Sequence, residues 1–234
     1  MICKNIVVTG SPRSGTTMIV SALNNIDDFK VYGELFAHTK KAEHPQAEWN
    51  KIVQENIDEG FDNSVFKHPV FFVMDIFSRA TGMKILSPHF RWYPELIPFV
   101  KENATIIHIE RRNKFNQAIS SAVNRKREKI RVDPKWLLSN IEDSIKDNLL
   151  LDSFFSDSKY MKIYYEDITQ NQNKDAIGIP GLSEFLGQDV PEILYPKVRK
   201  QGSPKVSKRI TNLKEVYWYF KTHRSDLLDW VEEK

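Results

Sequence analysis

Short apolar runs rich in isoleucine and valine recur along the chain, separated by longer stretches with helical spacing. The runs are Ile6-Val7-Val8, Phe29-Lys30-Val31-Tyr32, Met83-Lys84-Ile85-Leu86 (entered through Gly82), Thr105-Ile106-Ile107-His108-Ile109 and Met161-Lys162-Ile163-Tyr164-Tyr165. Strands of this kind alternating with helices predict an α/β fold, a central parallel β-sheet flanked by helices on both faces. Thr16 to Asn25 has helical spacing through Ile19, Ala22, Leu23 and Ile26. A second helix starts at Asp133-Pro134, with Leu138, Ile141, Ile145 and Leu149 predicted as its apolar face. A third, Leu182 to Leu186, stops at Gly187, and the aromatic-rich tail from Leu213 to Val231 reads as helices packed on the body.

Internal repeats, low-complexity tracts and long linkers are absent, so residues 1–234 read as one domain. An apolar content of 41% and a charged content of 28% are those of an ordinary soluble globule. The net charge of +3 is too mild to argue for bulk nucleic-acid binding. Basic residues do crowd two regions, Arg111 to Arg131 and Lys197 to Arg209, where most read as solvated faces. The single cysteine, Cys3, excludes an intrachain disulfide and reads as a small core residue. No apolar run approaches the ~20 residues of a membrane span, and the chain enters a strand without a signal-peptide pattern. The expectation is a cytoplasmic protein.

The segment Gly10-Ser11-Pro12-Arg13-Ser14-Gly15-Thr16-Thr17 follows the first strand directly and leads into the first helix. A strand, a glycine-bounded loop and a helix N-terminus aim backbone N–H groups at one point, which suits a phosphate. Pro12 stiffens the loop, Gly15 permits close approach of a ligand, and Thr16 and Thr17 add hydroxyls. Thr16 stands where a nucleoside-triphosphate loop carries its lysine, and Arg13 supplies a cation inside the loop instead. The loop is therefore poorly equipped for a triphosphate with magnesium.

A second candidate cradle follows the fourth strand, in Arg112-Asn113-Lys114-Phe115-Asn116-Gln117-Ala118-Ile119-Ser120. Arg112 offers a planar fork for a phosphate, and Ser120, eight residues on, offers a hydroxyl. Arg111 is adjacent and competes for the same role. Two further features lie at strand ends: Glu34 in Tyr32-Gly33-Glu34-Leu35-Phe36, and Lys84, costly to bury unless its ammonium meets water or an anion. Glu34 alone reads equally well as a helix-start carboxylate.

The two cradles together resemble those of the sulfotransferases that use 3′-phosphoadenosine 5′-phosphosulfate (PAPS). In that family a Pro-Arg/Lys-Ser-Gly-Thr-Thr loop holds the 5′-phosphosulfate, and an arginine with a serine eight residues on holds the 3′-phosphate. The chain carries both in order, about a hundred residues apart. Tyr165-Glu166-Asp167-Ile168 resembles the family's Tyr-Glu-Asp-Leu, Phe185-Leu186-Gly187 a short helix end, and Arg199-Lys200-Gln201 a basic loop over the adenosine. The turn around Glu34 and the Gln117-Ala118-Ile119-Ser120 segment are closest in flavour to bacterial carbohydrate sulfotransferases of the trehalose and nodulation-factor types.

The resemblance implies a P-loop-like sulfotransferase fold. It also implies PAPS as donor, adenosine 3′,5′-bisphosphate as product, no metal, and a hydroxylated acceptor, carbohydrate by subfamily. Donor ligands are then Pro12, Arg13, Ser14, Gly15, Thr16, Thr17, Arg112, Ser120, Arg199, Lys200 and Gln201. Glu34 becomes the general base, with His38 and His89 as alternatives, and Arg13 and Lys84 assist at the sulfonate. His108, inside a strand, reads as a hydrogen-bonded core histidine. Phe90, Trp92 and Tyr93 line the acceptor cleft or pack the core. The competing functional readings are a phosphoryl-transfer kinase, a non-catalytic nucleotide binder, and a sulfotransferase for a small-molecule or lipid alcohol.

Overall fold

A computed structural model describes residues 5–36, 68–123, 129–169, 176–197 and 209–231. Cys3, His38 and the Arg199-Lys200-Gln201 loop lie outside them. Five strands, β1 (Ile6–Thr9), β2 (Val31–Glu34), β3 (Gly82–Lys84), β4 (Thr105–Glu110) and β5 (Tyr160–Tyr164), form a parallel sheet in the order β2-β3-β1-β4-β5. The order reverses at β1, so the crevice beyond its carboxyl end, between β3 and β4, is the natural ligand position in such a sheet. The small antiparallel pair β6 (Ile177–Gly178) and β7 (Ile193–Leu194) lies apart from it.

Alternation along β1 divides the core. Ile6 and Val8 face α1 (Thr16–Leu23), packing with Ile19, Leu23, Ile107 and Ile163. Val7 faces the other side, with Met83 and Ile106, against α2 (Pro69–Arg79), α3 (Ser87–Trp92) and α4 (Leu96–Asn103). A third cluster joins α5 (Lys114–Val123), α6 (Pro134–Phe155) and α9 (Leu213–His223) through Phe115, Ile119, Leu137, Ile141, Val216 and Phe220. Between α6 and α9 come α7 (Tyr165–Ile168) and α8 (Leu182–Leu186), and α10 (Leu228–Val231) follows α9. No described helix is long and apolar enough to cross a membrane.

Four sequence expectations move. The second strand begins at Val31, two residues late, because the Asn24 side chain grips Val31 first, accepting its N–H at 2.6 Å and donating to its carbonyl at 2.8 Å. The third ends at Lys84, and Tyr165 opens a helix rather than closing a strand. On α6 the buried face is Leu137, Ile141, Ser144, Asn148, Leu151 and Phe155, whereas Leu149 is 64% exposed. Ser144 and Asn148 break the apolar periodicity because they are buried in hydrogen bonds, so a count of hydrophobic positions misplaces the inner face.

Those hydrogen bonds reach the loop after β1. Ser144 Oγ lies 3.0 Å from Ser11 Oγ, and Asn148 donates to the Ser144 carbonyl at 2.5 Å. Asn148 Oδ1 lies 2.8 Å from His108 Nε2, and His108 Nδ1 meets the Tyr160 hydroxyl. His108 is thus fully buried and hydrogen-bonded, as its strand position predicts. Phe90 packs edge-on against Phe155 in the core. Tyr93 contacts Phe36, and Trp92 is partly exposed beside His89.

Candidate active site

The loop after β1 closes on itself before the helix begins. Ser14 N–H donates to the Ser11 carbonyl at 3.2 Å, and the first helical bonds run from Met18 and Ile19 to the Gly15 carbonyl. The N–H groups of Thr16 and Thr17 precede those bonds and point out of the helix N-terminus, where the dipole is positive. Ser14 lends its N–H to the turn, not to a ligand. Its hydroxyl is buried and has no hydrogen-bond partner among the described residues. An orphaned donor of this kind is costly unless an acceptor arrives.

Arg13 adopts φ 67, a left-handed conformation that a non-glycine residue adopts at a cost. Gly15 adopts φ 118, and a Cβ there would meet the Tyr165 ring at 2.6 Å, so no larger residue fits. From α5, Gln117 braces the loop: its amide donates to Ser11 Oγ and to the Pro12 carbonyl, both at 2.7 Å. Sequence spacing had singled out Arg112 and Ser120 around this glutamine but not the glutamine itself. The signal for it is the Gln117-Ala118-Ile119-Ser120 segment, which carries the resemblance but gives the glutamine no role.

A second cation reaches the loop from a neighbouring strand. Lys84, buried at the end of β3, places Nζ 3.1 Å from Thr17 Oγ1 and 2.9 Å from Glu34 Oε2. The pairing depends on an irregularity in β2. Tyr32 aligns with Met83, yet Glu34 rather than Gly33 aligns with Lys84, so Gly33 is an extra residue. The shift brings the Glu34 carboxylate beside the lysine, one-third exposed at the sheet edge.

His89 lies behind this pair, 2% exposed. Its Nδ1 accepts the Leu86 N–H at 3.1 Å, which leaves the neutral ring's proton on Nε2, 4.0 Å from Glu34 Oε1. Burial pushes its pKa down to about 4, with Glu34 opposing and Lys84 reinforcing the shift. A ring whose free lone pair is already occupied, and which faces a carboxylate with its N–H, is poorly placed to accept an acceptor's proton. Glu34 has no such restriction.

The second cradle meets the first through Arg13, whose Nε and Nη2 each lie 3.4 Å from Ser120 Oγ. Arg112 faces elsewhere. Its guanidinium forms a two-pronged pair with Asp167, one prong at 2.7 Å, and lies 4.0 Å over the Tyr164 ring. Arg111 is the inner of the two arginines, with its guanidinium 4.8 Å from the centre of the Tyr165 ring that abuts Gly15. Lys114, part of the same basic run, is buried against Glu110 at 2.7 Å and is structural.

The arrangement can hold an anion at the α1 N-terminus, offer cations on two sides of it, and present a carboxylate to a neighbouring hydroxyl. Comparison with known proteins agrees with that chemistry. The model of the Sulfotransferase family matches residues 5–192. No curated protein matches the chain. Among solved structures, the sulfotransferase domain of the olefin synthase of Synechococcus PCC 7002 is 17% identical, with 98% of this chain and 87% of that one covered at a TM-score of 0.52. The sulfotransferase of Alicyclobacillus acidocaldarius is 14% identical, with coverage of 98% and 96% and a TM-score of 0.49. At such identities the olefin synthase domain speaks for the fold alone, while the family match spans most of the chain, both cradles included. The chain belongs to the sulfotransferase family.

Proposed function

We propose that the protein transfers the sulfuryl group of PAPS to a hydroxyl of a carbohydrate or glycoconjugate, with Glu34 as general base. The continuous contact Glu34–Lys84–Thr17 at the mouth of the phosphate loop carries this reading. It joins a base, a cation and an anion cradle within two hydrogen-bond lengths. The acceptor class rests on the Gly33-Glu34-Leu35-Phe36 turn and the Gln117-Ala118-Ile119-Ser120 segment, both similar to those of bacterial carbohydrate enzymes.

The acceptor oxygen attacks sulfur in line with the bond to the 5′-phosphate. The O–S bond forms, the bridging S–O bond breaks, and adenosine 3′,5′-bisphosphate leaves. Glu34 takes the hydroxyl proton as the oxygen bonds to sulfur. Negative charge grows on the leaving phosphate, where Arg13, Lys84 and the Thr16 and Thr17 N–H groups are aimed. Once Glu34 is protonated, its hold on the Lys84 ammonium weakens, and that cation becomes available to the departing phosphate. Ser14 Oγ and Gly15 line the floor of the loop. The adjoining cradle at the head of α5, with Ser120, takes the 3′-phosphate.

The test is release of adenosine 3′,5′-bisphosphate from PAPS across a panel of sugar, lipid and phenolic hydroxyls, with magnesium-ATP in a parallel arm. Transfer to sugars alone supports the full reading. Transfer only to a lipid or phenolic alcohol overturns the acceptor class, and turnover of magnesium-ATP overturns the donor.

A further inference from the structure

Gln117 lies on the inner side of α5, 2% exposed, in a stretch where Phe115, Ala118 and Ile119 are also buried. Its amide nitrogen donates to Ser11 Oγ and to the Pro12 carbonyl, both at 2.7 Å. Its Oε1 is buried with no hydrogen-bond partner among the described residues. A carbonyl only accepts, so the nitrogen is the atom that must face Pro12. A glutamine that leaves one polar atom unsatisfied in a core is a poor packing residue. What it supplies there is the donor.

That donor acts on the backbone next to Arg13. Arg13 has φ 67, and the chain is pinned on each side of it. Before it, Gln117 holds the Pro12 carbonyl; after it, the Ser14 N–H donates to the Ser11 carbonyl at 3.2 Å. A strained conformation of this kind persists only where its surroundings fix it. The same two bonds engage two consecutive carbonyls, those of Ser11 and Pro12. Neither then turns its negative end toward an anion held at the α1 N-terminus. Ser144 Oγ, at 3.0 Å, and Asn148 Nδ2, at 3.4 Å, also meet Ser11 Oγ, but they hold its side chain, whereas Gln117 reaches the backbone as well.

One turn further along α5, Ser120 Oγ lies 3.4 Å from Arg13 Nε and Nη2. Residues three apart on a helix share a face. One stripe of α5 therefore grips both the peptide that precedes Arg13 and the end of its side chain. We infer that Gln117 is a positioning residue for sulfuryl transfer: it fixes the peptide before Arg13 and so aims the Arg13 guanidinium at the donor's phosphosulfate. The inference rests on PAPS being the donor. Gln117 is buried and acts through Arg13, not on the nucleotide itself.

The experiment is calorimetric titration of adenosine 3′,5′-bisphosphate at pH 8 and pH 6, with melting temperatures in parallel. The proteins are wild type, Gln117→Met, Gln117→Glu, Arg13→Ala and the double variant Arg13→Ala/Gln117→Met. Gln117→Met keeps the length of the side chain and removes the donor. It is expected to weaken the bisphosphate at least ~10-fold on its own and less than ~3-fold when Arg13→Ala is already present, because residues that act through one another do not add. A residue that only fills the core gives the same factor in both backgrounds. Gln117→Glu keeps the shape, and burial against a carbonyl raises the pKa of its carboxyl, so acid restores one donor. Measured against wild type at the same pH, its affinity is expected to recover at least ~3-fold between pH 8 and pH 6 and to exceed that of Gln117→Met at pH 6. This variant decides the matter if Gln117→Met fails to fold. Wild type that does not bind the bisphosphate defeats the donor reading and this inference with it. Wild type that binds, with equal factors in the two backgrounds or no recovery of Gln117→Glu in acid, overturns the role of Gln117 alone.

Discussion

The Lys84 ammonium lies 2.9 Å from the Glu34 carboxylate, joining the ends of two adjacent parallel strands at the mouth of the loop after β1. The carboxylate is thereby oriented without being consumed, since Glu34 remains one-third exposed and, among the described residues, its second oxygen faces the His89 N–H at 4.0 Å. Glu34→Gln preserves shape and a hydrogen-bond acceptor for Lys84 but cannot take a proton. Turnover is expected to fall ~10²–10⁴-fold, with adenosine 3′,5′-bisphosphate affinity within a few-fold of wild type. Steady-state assay and calorimetry check this together, and full activity moves the base to another residue.

Arg13 carries the loop's own positive charge and reaches across to Ser120. Its side chain leaves the core untouched, and alanine adopts the same backbone at similar cost. Arg13→Ala is therefore expected to leave the melting temperature nearly unchanged and to lower turnover by ~10²–10³, the loss typical of one donor aimed at developing charge. Near-normal turnover in this variant removes Arg13 from the chemistry.

Gly15 is fixed both by φ 118 and by the Tyr165 ring 2.6 Å from where a Cβ would stand. Gly15→Ala is expected to cost roughly 1–3 kcal/mol of stability and to abolish measurable nucleotide binding, because relieving the clash moves the loop off Tyr165. Denaturant melts and bisphosphate titration report the two effects separately. An alanine variant that binds as wild type shows the contact to be dispensable.

The pH response has a definite sign. Burial holds His89 at about 4 when folded, against an ordinary value near 6.5. The unfolded chain therefore binds more protons between those values. The stabilisation from a neutral His89 is complete above 6.5 and is lost as pH falls towards 4. Glu110 and Asp152 act in the same direction at lower pH. Burial opposes their ionisation, but hydrogen bonds from Lys114 and Lys162 to Glu110, and from Lys162 and Tyr160 to Asp152, outweigh it and hold both below their ordinary values. Melting temperature is expected to fall steadily from pH 7 to pH 4. His89→Asn, whose amide oxygen still accepts the Leu86 N–H, is expected to flatten the upper part of that fall, by roughly 2–3 kcal/mol in all. An unchanged slope in this variant removes His89 from the acid response.

The alternation of strands and helices, the glycine-bounded loop between β1 and α1 and the place of Glu34 at a strand end are legible in the sequence because each depends on local pattern. What eluded it depends on pairing between distant segments. Lys84 reads as an awkward lysine in an apolar run until the extra residue at Gly33 sets Glu34 against it. The inner face of α6 is hidden because Ser144 and Asn148 are buried through hydrogen bonds rather than hydrophobicity. Spacing carries no information on Asp167, which arrives from beyond β5 and pairs with the Arg112 fork.

The claim on which all else depends is that one nucleotide spans the Arg13 loop and the cradle at the head of α5. Calorimetric titration of the wild-type protein, without magnesium, with adenosine 3′,5′-bisphosphate, adenosine 5′-phosphate and ATP tests it most directly. The account predicts that the bisphosphate binds at least 10-fold more tightly than either competitor. Indifference to the 3′-phosphate, or a preference for ATP that magnesium strengthens, contradicts it.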